Sequence, residues 1–275
     1  MDKAFLFGEK KNLMGILSVP DGDISNKPLV LILNSGLVHR PGPFRMNKEF
    51  SYILSEHGFC SFRFDLSGIG DSEKQKMDSM LSSDRNLSDV GEAISFIKEK
   101  VNPSNIIVMG LCTGADLAHR SAVKYQDISG TIQLDSYGYP TRNFYIKRYG
   151  AIFINPKRVI NLLRRVLLKF VPSKSGLESS ESGADAYYWQ LPEKRSYIAD
   201  MELMHENGKK HLLAYTSGVR DYYNYKNQFL DSFGNHSFSS NVQIEYFNYA
   251  DHLYILHKQR DALFNAMLKW VENFK

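Results

Sequence analysis

The stretch Asn105-Ile-Ile-Val-Met-Gly-Leu-Cys-Thr-Gly-Ala-Asp-Leu-Ala-His119 decides the fold. It runs from a β-branched segment through Gly110-Leu111-Cys112-Thr113-Gly114 into helix-forming residues. Strand, glycine-flanked turn and helix in that order form the G-x-S-x-G nucleophile elbow, here with cysteine in the serine position. The glycines have a steric job, because a nucleophile on a sharp, strained turn leaves no room for flanking Cβ atoms. At the head of the helix, unpaired amide groups and the helix dipole favour negative charge. That lowers a thiol pKa and stabilises a developing oxyanion. Free cysteine is also among the most buried residue types, so the elbow alone fits a structural core cysteine equally well. An acid and a histidine in the right order decide between the two.

Working outward, strand and helix signals alternate on both sides of the elbow. Lys11 to Val19 predicts an opening antiparallel strand, ended by Pro20-Asp-Gly22. Pro28-Leu-Val-Leu-Ile-Leu33 is a continuous apolar run, as a parallel strand covered on both faces requires. It leads into the Gly- and Pro-rich loop Asn34 to Arg45. Phe50 to His57 predicts a helix, Phe59 to Phe64 a strand, Asp65 to Ser72 a turn-rich loop, and Ser88 onward a second helix. After the elbow helix, Ile128 to Leu134 predicts one more strand. Alternation then stops until His211-Leu-Leu-Ala-Tyr-Thr216 and Val242 to Phe247, and Leu253 to Phe274 closes the chain with an apolar stripe of Leu256, Leu263, Met267 and Val271. Such alternation implies βαβ units and a mainly parallel sheet flanked by helices. The expected organisation is an α/β core at 1–139 and 209–275 with an inserted helical lid at 140–208.

Composition narrows the function classes. A chain of 275 residues with 43% hydrophobic residues holds one sizeable α/β core. No run of about 18 apolar residues is present, so no transmembrane helix is expected. The first ten residues lack the flanks and apolar length of a signal peptide. Two cysteines, one in an apparent buried strand, fit a reducing cytoplasm. The net charge of +4 is spread along the chain and does not suggest nucleic acid. No His/Cys/Asp/Glu spacing resembles a zinc site, so neither metal nor cofactor is expected.

The elbow's partners follow downstream. The strand at 211–216 precedes Ser217-Gly-Val-Arg-Asp-Tyr-Tyr-Asn224, which offers Asp221, and the last strand precedes Asn248-Tyr-Ala-Asp-His-Leu253, which offers His252. Cys112, Asp221, His252 is the nucleophile–acid–base order of α/β-hydrolases, with the partners in loops after late strands. Asp135, ending the strand before the insertion, is the alternative acid. Asp65 and Asp71 are explained by Asx-turn chemistry, and His119 lies two helical turns beyond Cys112, which argues against a base role.

The whole chain resembles an α/β-hydrolase, and in particular the exosortase A system-associated hydrolases, relatives of the serine aminopeptidase-like hydrolases. The resemblance rests on Asn34-Ser-Gly36, Phe62 to Ser72, Gly110-Leu-Cys-Thr-Gly-Ala115, Tyr222-Tyr-Asn-Tyr225 with Gln228-Phe229, and Ala250-Asp-His252. It implies a cysteine at the elbow. It departs at Leu134-Asp-Ser-Tyr137, where Asn-Pro is implied. The implied chemistry is acyl transfer on an ester or thioester. Cys112 is the nucleophile, His252 the base, Asp221 its orienting acid, and the backbone N–H groups of Thr113 and Leu37 the oxyanion donors. His39 and Asp135 are candidate pocket residues. The alternatives are an acyltransferase with the same triad, or an idle scaffold serving a surface-polysaccharide or sorting system.

Within the insertion, Lys157 to Phe170 places Val159, Ile160, Leu163, Val166, Leu167 and Phe170 at helical spacing, with Lys157, Arg158, Arg164, Arg165 and Lys169 elsewhere. The plain expectation is a roof over an acyl pocket. The sharper one is a cationic face that docks a carrier-bound or coenzyme A thioester, or makes weak contact with an acidic membrane surface.

Overall fold

The two apolar runs expected to be covered on both faces are the central strands β3 (Leu29–Ile32) and β5 (Ile106–Leu111), and every residue in both is buried. In the computed structural model, which describes residues 1–24, 26–74, 82–154 and 191–274, six further strands complete the sheet. They are β1 (Asp2–Phe7), β2 (Leu13–Ser18), β4 (Cys60–Phe64), β6 (Ile128–Leu134), β7 (Lys210–Thr216) and β8 (Val242–Phe247). Their order is β1-β2-β4-β3-β5-β6-β7-β8. Only the pairings made by β2 are antiparallel; from β4 to β8 all are parallel.

β1 is a strand that the sequence pattern did not single out. Its outer face is exposed, and as an edge strand it needs only one partner, so it lacks the alternation of a half-buried strand. It is pinned by charge: the Asp2 carboxylate takes hydrogen bonds from Ser18 Oγ at 2.6 Å and Arg63 Nη2 at 2.5 Å.

Helices α1 (Met46–Glu56) and α7 (His257–Glu272) cover one face of the sheet, where Phe50 and Phe264 stack at 5.5 Å. Helices α2 (Ser82–Lys100) and α3 (Thr113–Lys124) cover the other. α2 starts earlier than the apolar spacing predicts, since its first turn is polar. α7 starts later than Leu253, because the Asp251 carboxylate accepts the amides of Leu253 and Ile255 and holds them in a turn. Leu256 is consequently the exposed cap of α7, while Leu263, Met267 and Val271 are buried.

The expected insertion at 140–208 falls on α4 (Arg142–Ile154), on residues outside the description, and on α5 (Lys194–Glu206). The amphipathic stretch 157–170 lies outside the described residues. α5 packs as a core helix, burying Tyr197, Met201 and Met204 in one cluster with Leu213 and Tyr215 of the sheet. Just after it, buried Lys209 donates through Nζ to the carbonyls of Ala122 and Tyr125 at 2.7 Å, closing the C-terminal end of α3. Burial pushes that ammonium down to about 8. A short helix α6 (Gln228–Phe233) follows β7. Among the described residues, no helix is long and apolar enough to cross a membrane, and no group of three or more His, Cys, Asp or Glu could hold a metal ion.

Candidate active site

Cys112 joins β5 to α3 with φ 57° and ψ −118°, a strained conformation for a residue with a side chain. The turn closes only because its flanks are bare. A Cβ on Gly110 would lie 2.1 Å from the Gly114 carbonyl carbon, and one on Gly114 would lie 2.4 Å from the Asn34 carbonyl oxygen. The Cys112 amide donates to Leu134 O at 2.9 Å, which ties the elbow to the end of β6. The thiol is half-buried at the head of α3.

The residue after Leu134 is Asp135, and it is this carboxylate that meets the histidine: Asp135 Oδ2 lies 2.7 Å from His252 Nδ1. The structure does not bring Asp221 to His252. Asp221 is 87% exposed and pairs with Arg148 Nη2 at 2.8 Å. The reason is local: the 3-10 turn Ser217–Val219 carries the chain outward directly after β7, so the carboxylate expected to turn in faces solvent. Asp135 instead ends the strand hydrogen-bonded beside β5. Its φ of 50° and its amide bond to Ala214 O at 2.8 Å fix its backbone. Thr216 donates to it twice at 2.7 Å, from the amide to Oδ1 and from the hydroxyl to Oδ2. The sequence did offer Asp135 as the alternative acid, by its place at the end of the strand before the insertion.

The His252 loop is held against β7 by contacts invisible to motif reading. Ser217 donates from both amide and hydroxyl to Ala250 O. A Cβ on Gly218 would lie 2.6 Å from the His252 amide nitrogen, so glycine there lets the two loops touch. Tyr222 donates to Asp135 O at 3.0 Å. Gln228, wholly buried, donates to Tyr139 O and Tyr222 O and accepts the Asn224 amide, clamping the loops after β6 and β7 together.

The His252 imidazole is pushed up from 6.5 to about 10, first by its hydrogen bond to Asp135 and then by one to Cys112, against the opposing effect of burial. The remaining thiol, Cys60, is buried in β4 and pushed up to about 11 by desolvation.

The other sequence-singled residues take varied places. The Gly36 amide donates to Thr113 Oγ at 2.7 Å and the Val38 amide to Ser35 O at 3.0 Å, so the 35–38 turn is pinned beside the elbow with Leu37 at its tip. His39 is exposed in the same loop. Asp65 does more than close its own turn: its buried carboxylate accepts from Asn34, the Arg40 amide and guanidinium, and the Asp71 amide, bracing two loops. His119 is buried, stacked on Tyr197 at 5.1 Å and bonded to Asp200 at 3.1 Å, away from the Cys112 side chain's partners.

No family model matches the chain, and no curated protein matches it in sequence. Solved structures do match in shape. A serine hydrolase without lid from Xanthomonas campestris is 13% identical, covering 98% of this chain and 94% of that one, with a TM-score of 0.54. Proline iminopeptidase of Mycobacterium smegmatis is 11% identical over 99% and 98% of the two chains, with a TM-score of 0.58. A soluble variant of monoglyceride lipase from Saccharomyces cerevisiae is 16% identical over 98% and 94%, with a TM-score of 0.54. The strand order, the elbow after β5 and these likenesses together identify the architecture of this chain as the α/β-hydrolase fold.

Proposed function

We propose that this protein is an acyl-transfer hydrolase acting on an ester or thioester through Cys112, His252 and Asp135. The observation that carries the reading is the 2.7 Å contact of His252 Nδ1 with the buried Asp135 carboxylate, in the loops after β8 and β6, with the strained Cys112 elbow at the end of the neighbouring β5. Asp135 replaces Asp221 as the orienting acid. Likeness to hydrolases of low identity supports the fold behind this reading, while the chemistry rests on the residues.

His252, oriented by Asp135, takes the thiol proton of Cys112. The thiolate adds to the substrate carbonyl carbon, and the amides of Thr113 and Leu37 receive the oxyanion. As the tetrahedral intermediate collapses, the bond to the alcohol or thiol breaks and His252 gives that leaving group its proton. Having given up its proton, His252 is left as the neutral imidazole. The imidazole then becomes a base able to take a proton from water, which hydrolyses the acyl-enzyme, or from an acceptor alcohol or thiol, which makes the reaction a transfer. A thioester intermediate exchanges readily with thiols and amines, so sulfur at the elbow favours thioester and transfer chemistry. Two free thiols suit a reducing compartment such as the cytoplasm.

Acyl esters and acyl thioesters of graded chain length, incubated with wild type and with Cys112→Ala, test the proposal. The expected result is turnover and a trapped acyl adduct on Cys112 in wild type only. Equal turnover in Cys112→Ala would show that the reaction does not run through Cys112, whereas no adduct and no turnover on any member of the series would favour an idle scaffold.

A further inference from the structure

Beside the His252 loop lies an open cleft of about 660 Å³ whose walls carry Lys147, Arg148, Arg220 and Lys226 against one carboxylate, Asp221. Four cations in one cleft are a local concentration of charge in a chain whose net charge is only +4. Arg220 is anchored by donating to Asn248 O at 3.2 Å, and Arg148 by donating to Arg220 O at 3.2 Å, so two guanidinium groups are held in place from behind. Among the described residues, neither Lys147 nor Lys226 has a carboxylate partner; Lys147 stands over the Tyr225 ring at 5.8 Å. Asp221 Oδ1, 2.8 Å from Arg148, marks where an oxyanion fits. Its carboxylate is 87% exposed, and an exposed pair of this kind is weak. A phosphate group, whose oxygens accept bidentate hydrogen bonds, binds such guanidinium groups better.

The position of the cleft selects which part of a substrate it meets. Its walls are the loops after β7 and β8 and the helix α4. Arg220 follows Gly218, which touches His252, and Asn248 lies four residues before it. In acyl transfer the histidine protonates the leaving group, so the leaving group departs on the histidine's side. We propose that this cleft binds the phosphate of the acyl donor's leaving group, which makes the donor a phosphopantetheine-type thioester, with Asp221 as the anion it displaces. This inference rests on the acyl-transfer reading given above and extends it to a substrate class.

Direct titration of the purified protein with coenzyme A, 4′-phosphopantetheine and pantetheine tests the cleft without any turnover. Coenzyme A is expected to bind about tenfold or more tightly than pantetheine, with affinity falling as salt rises. The pair Lys147→Glu with Lys226→Glu should weaken it about tenfold, and Asp221→Asn should strengthen it severalfold. If 4′-phosphopantetheine binds as well as coenzyme A, one phosphate suffices and carrier-bound donors qualify; a large preference for coenzyme A assigns the free coenzyme. In turnover, the ratio of kcat/KM for an acyl-coenzyme A over the matching S-acyl-N-acetylcysteamine should fall about tenfold in the double charge reversal. Equal binding of coenzyme A and pantetheine, or no effect of charge reversal, would overturn the cleft assignment even if Cys112-dependent ester turnover stands. Charge-dependent coenzyme A binding with no acyl turnover would instead overturn the acyl-transfer reading.

Discussion

At Asp135 a fully buried carboxylate accepts two hydrogen bonds from Thr216 and meets His252 Nδ1 at 2.7 Å. Replacing it by Asn exchanges an acceptor for a donor facing His252 Nδ1 and favours the wrong imidazole tautomer. Asp135→Asn is therefore expected to lower kcat by roughly 10³–10⁴-fold with the fold retained, as circular dichroism would verify. Asp221→Asn should change kcat on a phosphate-free ester far less. The opposite ranking in steady-state kinetics would restore Asp221 as the acid. The two thiols give a second readout. Iodoacetamide at neutral pH should label Cys112 quickly and leave Cys60, whose thiol burial pushes up to about 11, unmodified in the folded protein by mass spectrometry. In Asp135→Asn the labelling of Cys112 should slow, because nothing then holds the imidazolium beside it.

The turns that seat the triad are built on glycines where a single methyl group has nowhere to go. At Gly110 the colliding atoms are the Gly114 backbone, 2.1 Å away in the first turn of α3, and buried helix backbone held by its own hydrogen bonds cannot yield. Gly110→Ala is expected to cost about 1–3 kcal/mol in urea-unfolding stability. Gly218 meets the His252 loop rather than the sheet, and that loop is the softer of the two. Gly218→Ala should displace His252 and reduce kcat more than it reduces the unfolding midpoint; a variant with full activity and lost stability would show that the contact serves packing alone. The elements themselves were largely legible. Continuous apolar runs became β3 and β5, and the elbow grammar placed α3. Edge strand β1 and the polar first turn of α2 were not, since weakly buried residues leave no period in the sequence.

Two buried groups tie the stability of the whole molecule to pH. Asp116, on α3, is pushed up to about 6 by burial. The folded state binds its proton more tightly than the unfolded state, so its contribution is best at low pH and is lost as pH rises from about 4 to about 6. Asp116→Asn should lose that dependence and gain on wild type by an amount on the order of 3 kcal/mol above pH 6. His252 acts in a higher window. Its folded pKa of about 10 exceeds the ordinary 6.5, so the Asp135–His252 contact stabilises fully below about pH 6.5 and fades as pH climbs to 10. Melting temperatures between pH 6.5 and 10 should fall more steeply in wild type than in Asp135→Asn, and parallel curves would contradict the raised pKa.

The class of fold was written in the sequence, and so were the positions of the elbow residue Cys112 and of His252, the candidate nucleophile and base. Each is written in a local pattern: apolar runs, glycines flanking a strained residue, and a loop placed after the last strand. The sequence also contained the acid, but only as one of two carboxylates in comparable loops. Choosing between Asp135 and Asp221 depended on which strand end lies beside the elbow and on which way the chain leaves β7. Strand adjacency is set by packing between residues far apart in sequence, and it brings together Asp135 and His252, 117 positions apart, while the exit from β7 is set by the turn Ser217–Val219. The cationic cleft is tertiary for the same reason: Lys147 and Arg148 come from one helix and Arg220 and Lys226 from a distant loop, and only folding makes them one surface.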